Sequence, residues 1–89
     1  VPRITLTRNL RRHVDAPPAE VTGGTVHDCL SDYFDRYPAV RSYVLDDRGQ
    51  VRKHVAVFVG SDLLVDRAAQ TDAVSDDDEI TIMQALSGG

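Results

Sequence analysis

Between Val26 and about Tyr37 the residues Val26, Cys29, Leu30, Tyr33, Phe34 and Tyr37 recur at spacings of three and four. That spacing is one apolar stripe of an α-helix, and such a stripe has to be covered by another element. Thr25 is a good N-cap, and Asp28 three residues later answers it as a weak variant of the capping box. Asp28, Asp32, Asp35 and Arg36 fall on the water side, and Pro38 ends the element, because proline cannot continue a helix. The stripe places Cys29 among buried side chains, where a thiol is inert rather than nucleophilic. With a single helix of this quality, the remaining apolar residues must supply a surface for it.

They are patterned as strands. Arg3-Ile4-Thr5-Leu6-Thr7 alternates with period two, with Ile4 and Leu6 on one face. Val55-Ala56-Val57-Phe58-Val59 is apolar on both faces and rich in branched residues, the composition of a well-packed strand. Glu79 to Met83 alternates again, with Ile80 and Ile82 inward and Thr81 and Met83 outward. Between these, Arg8 to Asp15 is a polar hairpin connection. Ala16-Pro17-Pro18 cannot lie in a central strand, since proline has no ladder donor. A short edge strand therefore resumes at Ala19 to Thr22, and Gly23-Gly24 ends it. Ala39 to Leu45 makes a further helical turn or two anchored by Val40, Tyr43 and Val44. Asp46-Asp47-Arg48-Gly49 is turn chemistry, Gly60-Ser61-Asp62 turns the chain, and Leu63-Leu64-Val65 adds a short strand. Asp66 to Asp78 is a polar passage with few apolar contacts. The fold class expected is α+β, a mixed sheet of four to five strands packed on one main helix.

The outward faces of the three best strands present Thr5 and Thr7, Ala56 and Phe58, Thr81 and Met83. A sheet face uncharged apart from Arg3 at its margin, on a chain with net charge −4, is a candidate docking surface; the competing reading is that a loop merely covers Phe58 and Met83. The same charge argues against a nucleic-acid partner and points to a basic partner surface. Eighty-nine residues, 42% hydrophobic and 27% charged, describe one globular domain. No apolar run approaches the roughly 20 residues of a membrane span, and the start has no secretory pattern. A soluble cytoplasmic protein is expected. One cysteine excludes an internal disulfide and a cysteine-rich zinc site. His13, His27 and His54 are scattered without metal-ligand spacing, Ser31 and Ser87 lack a nucleophile motif, and Gly23-Gly24 is no phosphate loop. The run Asp76-Asp77-Asp78-Glu79 lacks the alternating ligands and glycine of a calcium loop, so a solvated turn is expected there. No catalytic residue, metal ligand or bound cofactor is read from this chain.

The end carries the functional clue. Glycine is about 7% of average sequence, so a chance Gly-Gly end arises roughly once in 200 chains. Two residues without Cβ form a thin tail that accepts either sign of φ and fits a channel too narrow for side chains. Such a tail brings the Gly89 carboxylate to another protein's active site; the plainer alternative is a frayed end.

The element order, the tract Val55-Ala56-Val57-Phe58-Val59-Gly60, and Asp76-Asp77-Asp78-Glu79-Ile80-Thr81-Ile82 before Gly88-Gly89 together resemble the ubiquitin-like β-grasp sulfur carriers of the ThiS/MoaD family. That family includes the thiamine sulfur carrier, the small subunit of molybdopterin synthase and a carrier in a protein-thiocarboxylate route to cysteine. Asp77 stands where the family often has glycine, and Gln84-Ala85 where it often has proline. The length, and the segment from Leu45 to Val55, look more like the molybdopterin and cysteine branches, between which both stay open. The resemblance implies a β-grasp domain over residues 1–86 and a diglycine tail over 87–89. It implies a carrier rather than an enzyme, at most a non-catalytic small subunit of a synthase complex. An E1-like adenylyltransferase/sulfurtransferase would activate Gly89 with ATP and Mg, leaving a covalent thiocarboxylate. A sulfur-accepting biosynthetic enzyme would take the sulfur. Gly88, Ser87 and Leu86 would be the tail that enters the partner's channel, with Leu86 at its mouth; on the strand-face reading, Phe58, Met83 and Thr81 would belong to the docking face. A ubiquitin-like modifier joined through Gly89 to lysines, and a binding module with an inert end, are the other readings.

Overall fold

The computed structural model describes residues 1–12 and 14–84. Eight elements follow in order: β1 Arg3–Leu6, α1 Arg8–Arg11, β2 Ala19–Glu20, α2 Val26–Arg36, α3 Pro38–Val44, β3 Val55–Val59, β4 Asp62–Leu63 and β5 Glu79–Gln84. The five strands form one sheet in the order β2-β1-β5-β3-β4. β1 and β5 are parallel neighbours, and the other pairings are antiparallel. The last strand therefore lies at the centre of the sheet, hydrogen-bonded on both sides. Its final described residue, Gln84, is held opposite Val55.

The alternation read from the sequence sets the register. Ile4, Leu6, Val57, Ile80 and Ile82 point to one face and are almost completely buried. Against them α2 lays Val26, Cys29, Leu30, Tyr33 and Phe34, and α3 adds Val40 and Val44. Thr25 caps α2 as expected, its hydroxyl accepting the Asp28 N–H at 3.2 Å. Pro38 ends α2 and occupies the first turn of α3, where its missing N–H is no loss and its fixed φ is already helical. The Tyr33 hydroxyl, inside the core, donates to the Pro17 carbonyl at 2.8 Å. That bond lets the helix hold the proline segment that enters β2.

Several expectations need correction. The Arg8–Asp15 connection contains α1, because the Thr7 carbonyl accepts the N–H groups of Leu10 and Arg11 and the fold buries Leu10. A lone leucine in a basic run gives no period from which to read that turn. Tyr43, read as an anchor of α3, is instead exposed. Its neighbour Val44 takes the inward position. Asp32 and Arg36 do more than solvate α2. Asp32 accepts the Thr22 N–H at 2.9 Å, and Arg36 donates to the Glu20 carbonyl at 2.6 Å and to Asp32 at 3.3 Å. Together they fasten the short β2 edge.

The passage from Asp66 to Asp78 is ordered by its own carboxylates. Asp66 accepts the N–H groups of Ala68, Ala69 and Thr71 and the Thr71 hydroxyl, and Asp72 accepts those of Val65 and Asp66. Gln70, buried and with φ of 53°, donates to the carbonyls of Gly49 and Arg67. It joins this passage to the Asp46–Gly49 turn.

Candidate functional site

The outward sheet face is assembled by register. Thr5 is opposite Thr81, Thr81 is opposite Phe58, and Phe58 is opposite Leu63. These four make one transverse row across β1, β5, β3 and β4. Ala56 and Met83 form the next paired position. Thr5, Thr7, Ala56, Phe58, Thr81 and Met83 are all half-buried, so each keeps part of its surface open to solvent. The expected residues Phe58, Thr81 and Met83 are thus brought together on one surface with no charged side chain among them. At its margin the Thr5 hydroxyl donates to Glu79 at 2.8 Å.

Leu63 and Val65 were not assigned to this face by the sequence. They are 55% and 86% exposed, and Leu63 extends the row beyond Phe58. The alternation Leu63, Val65 around buried Leu64 was a legible signal. It was obscured because β4 pairs only through Asp62 and Leu63 and reads as three apolar residues in a run.

Of the tail assignments, Leu86, Ser87, Gly88 and Gly89 lie outside the described residues. What is described is the base from which they extend. Beside Gln84 lies a groove of about 600 Å³, lined by Leu10, Ser42, Tyr43, Asp46, Arg52, Lys53, His54, Val55 and Gln84. Its wall from Arg52 to His54 is a run of basic residue types on an acidic chain. Arg52 Nε donates to the Ser42 carbonyl at 2.6 Å, which ties the turn before β3 to α3. Sequence reasoning missed this groove, although the triplet directly before the best strand marks one of its walls.

Elsewhere the titratable groups serve the fold. Burial pushes the Cys29 thiol up to about 11, with Asp28 and Asp32 adding to the shift. Its Sγ lies 3.6 Å from the Gly23 carbonyl, which is the environment of an inert buried thiol. In the acidic run, Asp78 accepts the Ser75 N–H at 2.8 Å, closing the turn that leads into β5. His27 in α2 and His54 in the turn before β3 are exposed, and His13 lies outside the described residues.

The ThiS family model matches residues 8–89. Comparison with curated protein sequences gives no match. Among solved structures, Mycobacterium tuberculosis CysO superposes with a TM-score of 0.82 at 20% identity, over 97% of this chain and 100% of that one. A chain of the Amycolatopsis orientalis BexX/CysO complex gives 0.81 at 22% identity, over 100% of both chains. SAMP1 from Haloferax volcanii gives 0.76 at 27% identity, over 99% of this chain and 98% of that one. These likenesses establish the ubiquitin-like β-grasp.

Proposed function

The chain belongs to the ThiS family, and from that premise we propose that it is a sulfur carrier whose working group is the Gly89 carboxylate. The observation that carries this reading is a family match running to the final residue, on a chain whose last strand is the centre of the sheet. A free carboxylate is a poor electrophile. An E1-like enzyme using ATP and Mg would convert it to an acyl adenylate, and a sulfur donor would displace AMP to leave a thiocarboxylate. The protein itself supplies position rather than catalysis: β5, hydrogen-bonded along both edges, is a rigid base for the tail. The row Thr5, Thr81, Phe58 and Leu63, with Met83 beside it, offers the activating and sulfur-accepting enzymes an uncharged docking face. Leu86 would sit at the mouth of their channel, with Ser87, Gly88 and Gly89 inside. The acceptor belongs to a molybdopterin or cysteine type of biosynthesis.

The experiment is the intact mass of the protein from its native cells, with and without an alkylating trap for thioacids. A species with one terminal oxygen replaced by sulfur, trapped at Gly89, is the expected result. A second reading, conjugation of Gly89 to lysines, is favoured by the 27% identity to SAMP1 and by likeness to a Methanosarcina acetivorans protein called small archaeal modifier protein 1. Only a free carboxylate, together with Gly-Gly remnants on cellular lysines, would replace the first reading by the second.

A further inference from the structure

We propose that the end of the sheet at which β5 finishes is a docking site for an acidic segment of a protein partner, received by Arg8, Arg11, Arg12, Arg52 and Lys53 around the groove beside Gln84. No step of it involves Gly89, so it stands apart from the carrier reading.

The topology sorts the charges. β1 runs parallel to β5 with Leu6 opposite Ile82, so α1 follows at the end where β5 finishes and brings Arg8, Arg11 and Arg12 with it. β3 runs antiparallel with Val55 opposite Gln84, so Arg52, Lys53 and His54 reach the same end from the other side. Leu10 of α1 and the wall from Arg52 to His54 line one groove. Five of the ten lysine and arginine residues therefore flank a single strand end. The opposite end is acidic. Asp76, Asp77, Asp78 and Glu79 lead into β5, and Asp62 stands near them, because Val59 pairs with Ile80 on one side and with Asp62 on the other.

The separation decides what a partner meets. Glu79 and Gln84 are the two ends of β5, roughly 17 Å apart at strand spacing. That is about twice the screening length of ~8 Å at physiological salt. A surface approaching the Gln84 end meets the local positive charge rather than the net charge of −4, and the acidic far end turns the molecule so that this end leads.

The cations are available. Arg8, Arg11, Arg12, Arg52 and Lys53 are exposed, and among the described residues the one ion pair is Arg36 with Asp32. Asp46, the one carboxylate lining the groove, has its Oδ1 taken by the N–H groups of Arg48 at 2.8 Å and Gln50 at 3.1 Å. Arg52 is held in the wall by its bond from Nε to the Ser42 carbonyl, which orders a planar fork suited to carboxylates before any partner arrives. Leu10, Val55 and Tyr43 add apolar and aromatic surface to the same groove, so an apolar side chain between the carboxylates has a place to sit. Charge complementarity thus names the occupant. A nucleic acid fits less well, since its strand repeats a phosphate about every 3.4 Å and would carry negative charge on toward Asp76 to Glu79. A short acidic segment stays within the basic end.

The test titrates the full chain with a fluorescently labelled synthetic peptide of glutamates around a central Leu-Phe pair. The comparison probes are the same peptide with lysines for glutamates and a single-stranded oligonucleotide of equal charge. The expected result is saturable binding of the acidic peptide at roughly 50 mM salt, weakened at least tenfold at roughly 300 mM, with amide shifts centred on Leu10 and on Arg52 to Val55. Binding should fall at least tenfold in the double variant Arg11→Glu, Lys53→Glu, and by an intermediate factor in Arg11→Gln, Lys53→Gln, which introduces no new charge. Asp77→Lys, at the far end, should leave it within about threefold, since that site lies beyond the screening length. Absence of saturable binding, equal binding by the charge-reversed protein, or preference for the lysine peptide would overturn the proposal. Tighter binding of the oligonucleotide than of the acidic peptide would overturn it in favour of a nucleic-acid partner.

Discussion

Gly23 and Gly24 read identically as a turn pair, yet the structure gives them different duties. Gly23 has φ of 152°, and a Cβ placed on it would lie 2.7 Å from Asp28 Cβ and 2.8 Å from the Cys29 backbone nitrogen. Both obstacles belong to the first turns of α2 and cannot rotate away. Gly24 has no positive φ, and nothing lies within 4 Å of its Cβ position. Gly23→Ala should cost about 1–3 kcal/mol for the backbone conformation and about 1–2 kcal/mol for displacing the helix start. A total near 3 kcal/mol is a large part of a small domain's stability. At roughly 4–8 °C per kcal/mol for a domain of this size, Tm should fall by about 12–24 °C. Gly24→Ala should stay within about 0.5 kcal/mol of the parent. Thermal and urea unfolding of both variants checks this. A Gly23→Ala protein that melts within about 3 °C of the Gly24→Ala protein, less than 1 kcal/mol on that scale, would refute the reasoning.

Alkaline pH should unfold the chain in stages. Burial raises Cys29 from 9.0 to about 11 and Tyr33 from 10.0 to about 12, so both stay protonated in the folded state while the unfolded chain ionises. Stability is intact below pH 9 and falls between 9 and 12, by about 2–3 kcal/mol for each group; Cys29→Ala should move the onset toward 10 in urea titrations. In acid the sign reverses. Asp66, whose carboxyl is held below its ordinary 3.8 first by the Thr71 hydroxyl and then by backbone N–H groups, and Asp46, held down first by the Gln50 N–H, stabilise the fold above that value. This stabilisation is lost as pH falls through their lowered range, and Asp66→Asn should flatten the acid limb. Phe58→Glu should leave Tm within about 5 °C, roughly 1 kcal/mol, and weaken binding to the activating enzyme at least tenfold in titration calorimetry, as expected for a central aromatic contact. On the proposed reading, in which Gly88 enters a partner's channel, Gly88→Ala should cut sulfur delivery at least tenfold in single-turnover transfer.

Much of this molecule is legible along the chain because its signals are local and periodic. The stripe of α2, the Thr25 cap, the break at Pro38, the alternation of β1 and β5 and the turn glycines Gly49 and Gly60, both with positive φ, depend on neighbours within a few residues. The outward face of Phe58, Thr81 and Met83 followed from the same period of two. The family followed from the acidic turn, the last strand and the two glycines. What could not be read is what needs partners distant in sequence. Leu10 is buried because β5 and α3 lie nearby, not because of its own polar surroundings. Asp32 and Arg36 look like a solvated helix face until β2 is set beside them, when they become its fasteners. Gly23 and Gly24 differ only through the helix that follows.

The sequence by itself determined the β-grasp pattern, since it is written in residue type and spacing. Only the tertiary structure decided which strands lie together. Setting β5 between a parallel β1 and an antiparallel β3 brings Gln84 opposite Val55, beside the basic run Arg52 to His54. Strand order and register are set by which apolar faces fit together over the whole chain, and no local window of residues contains that choice.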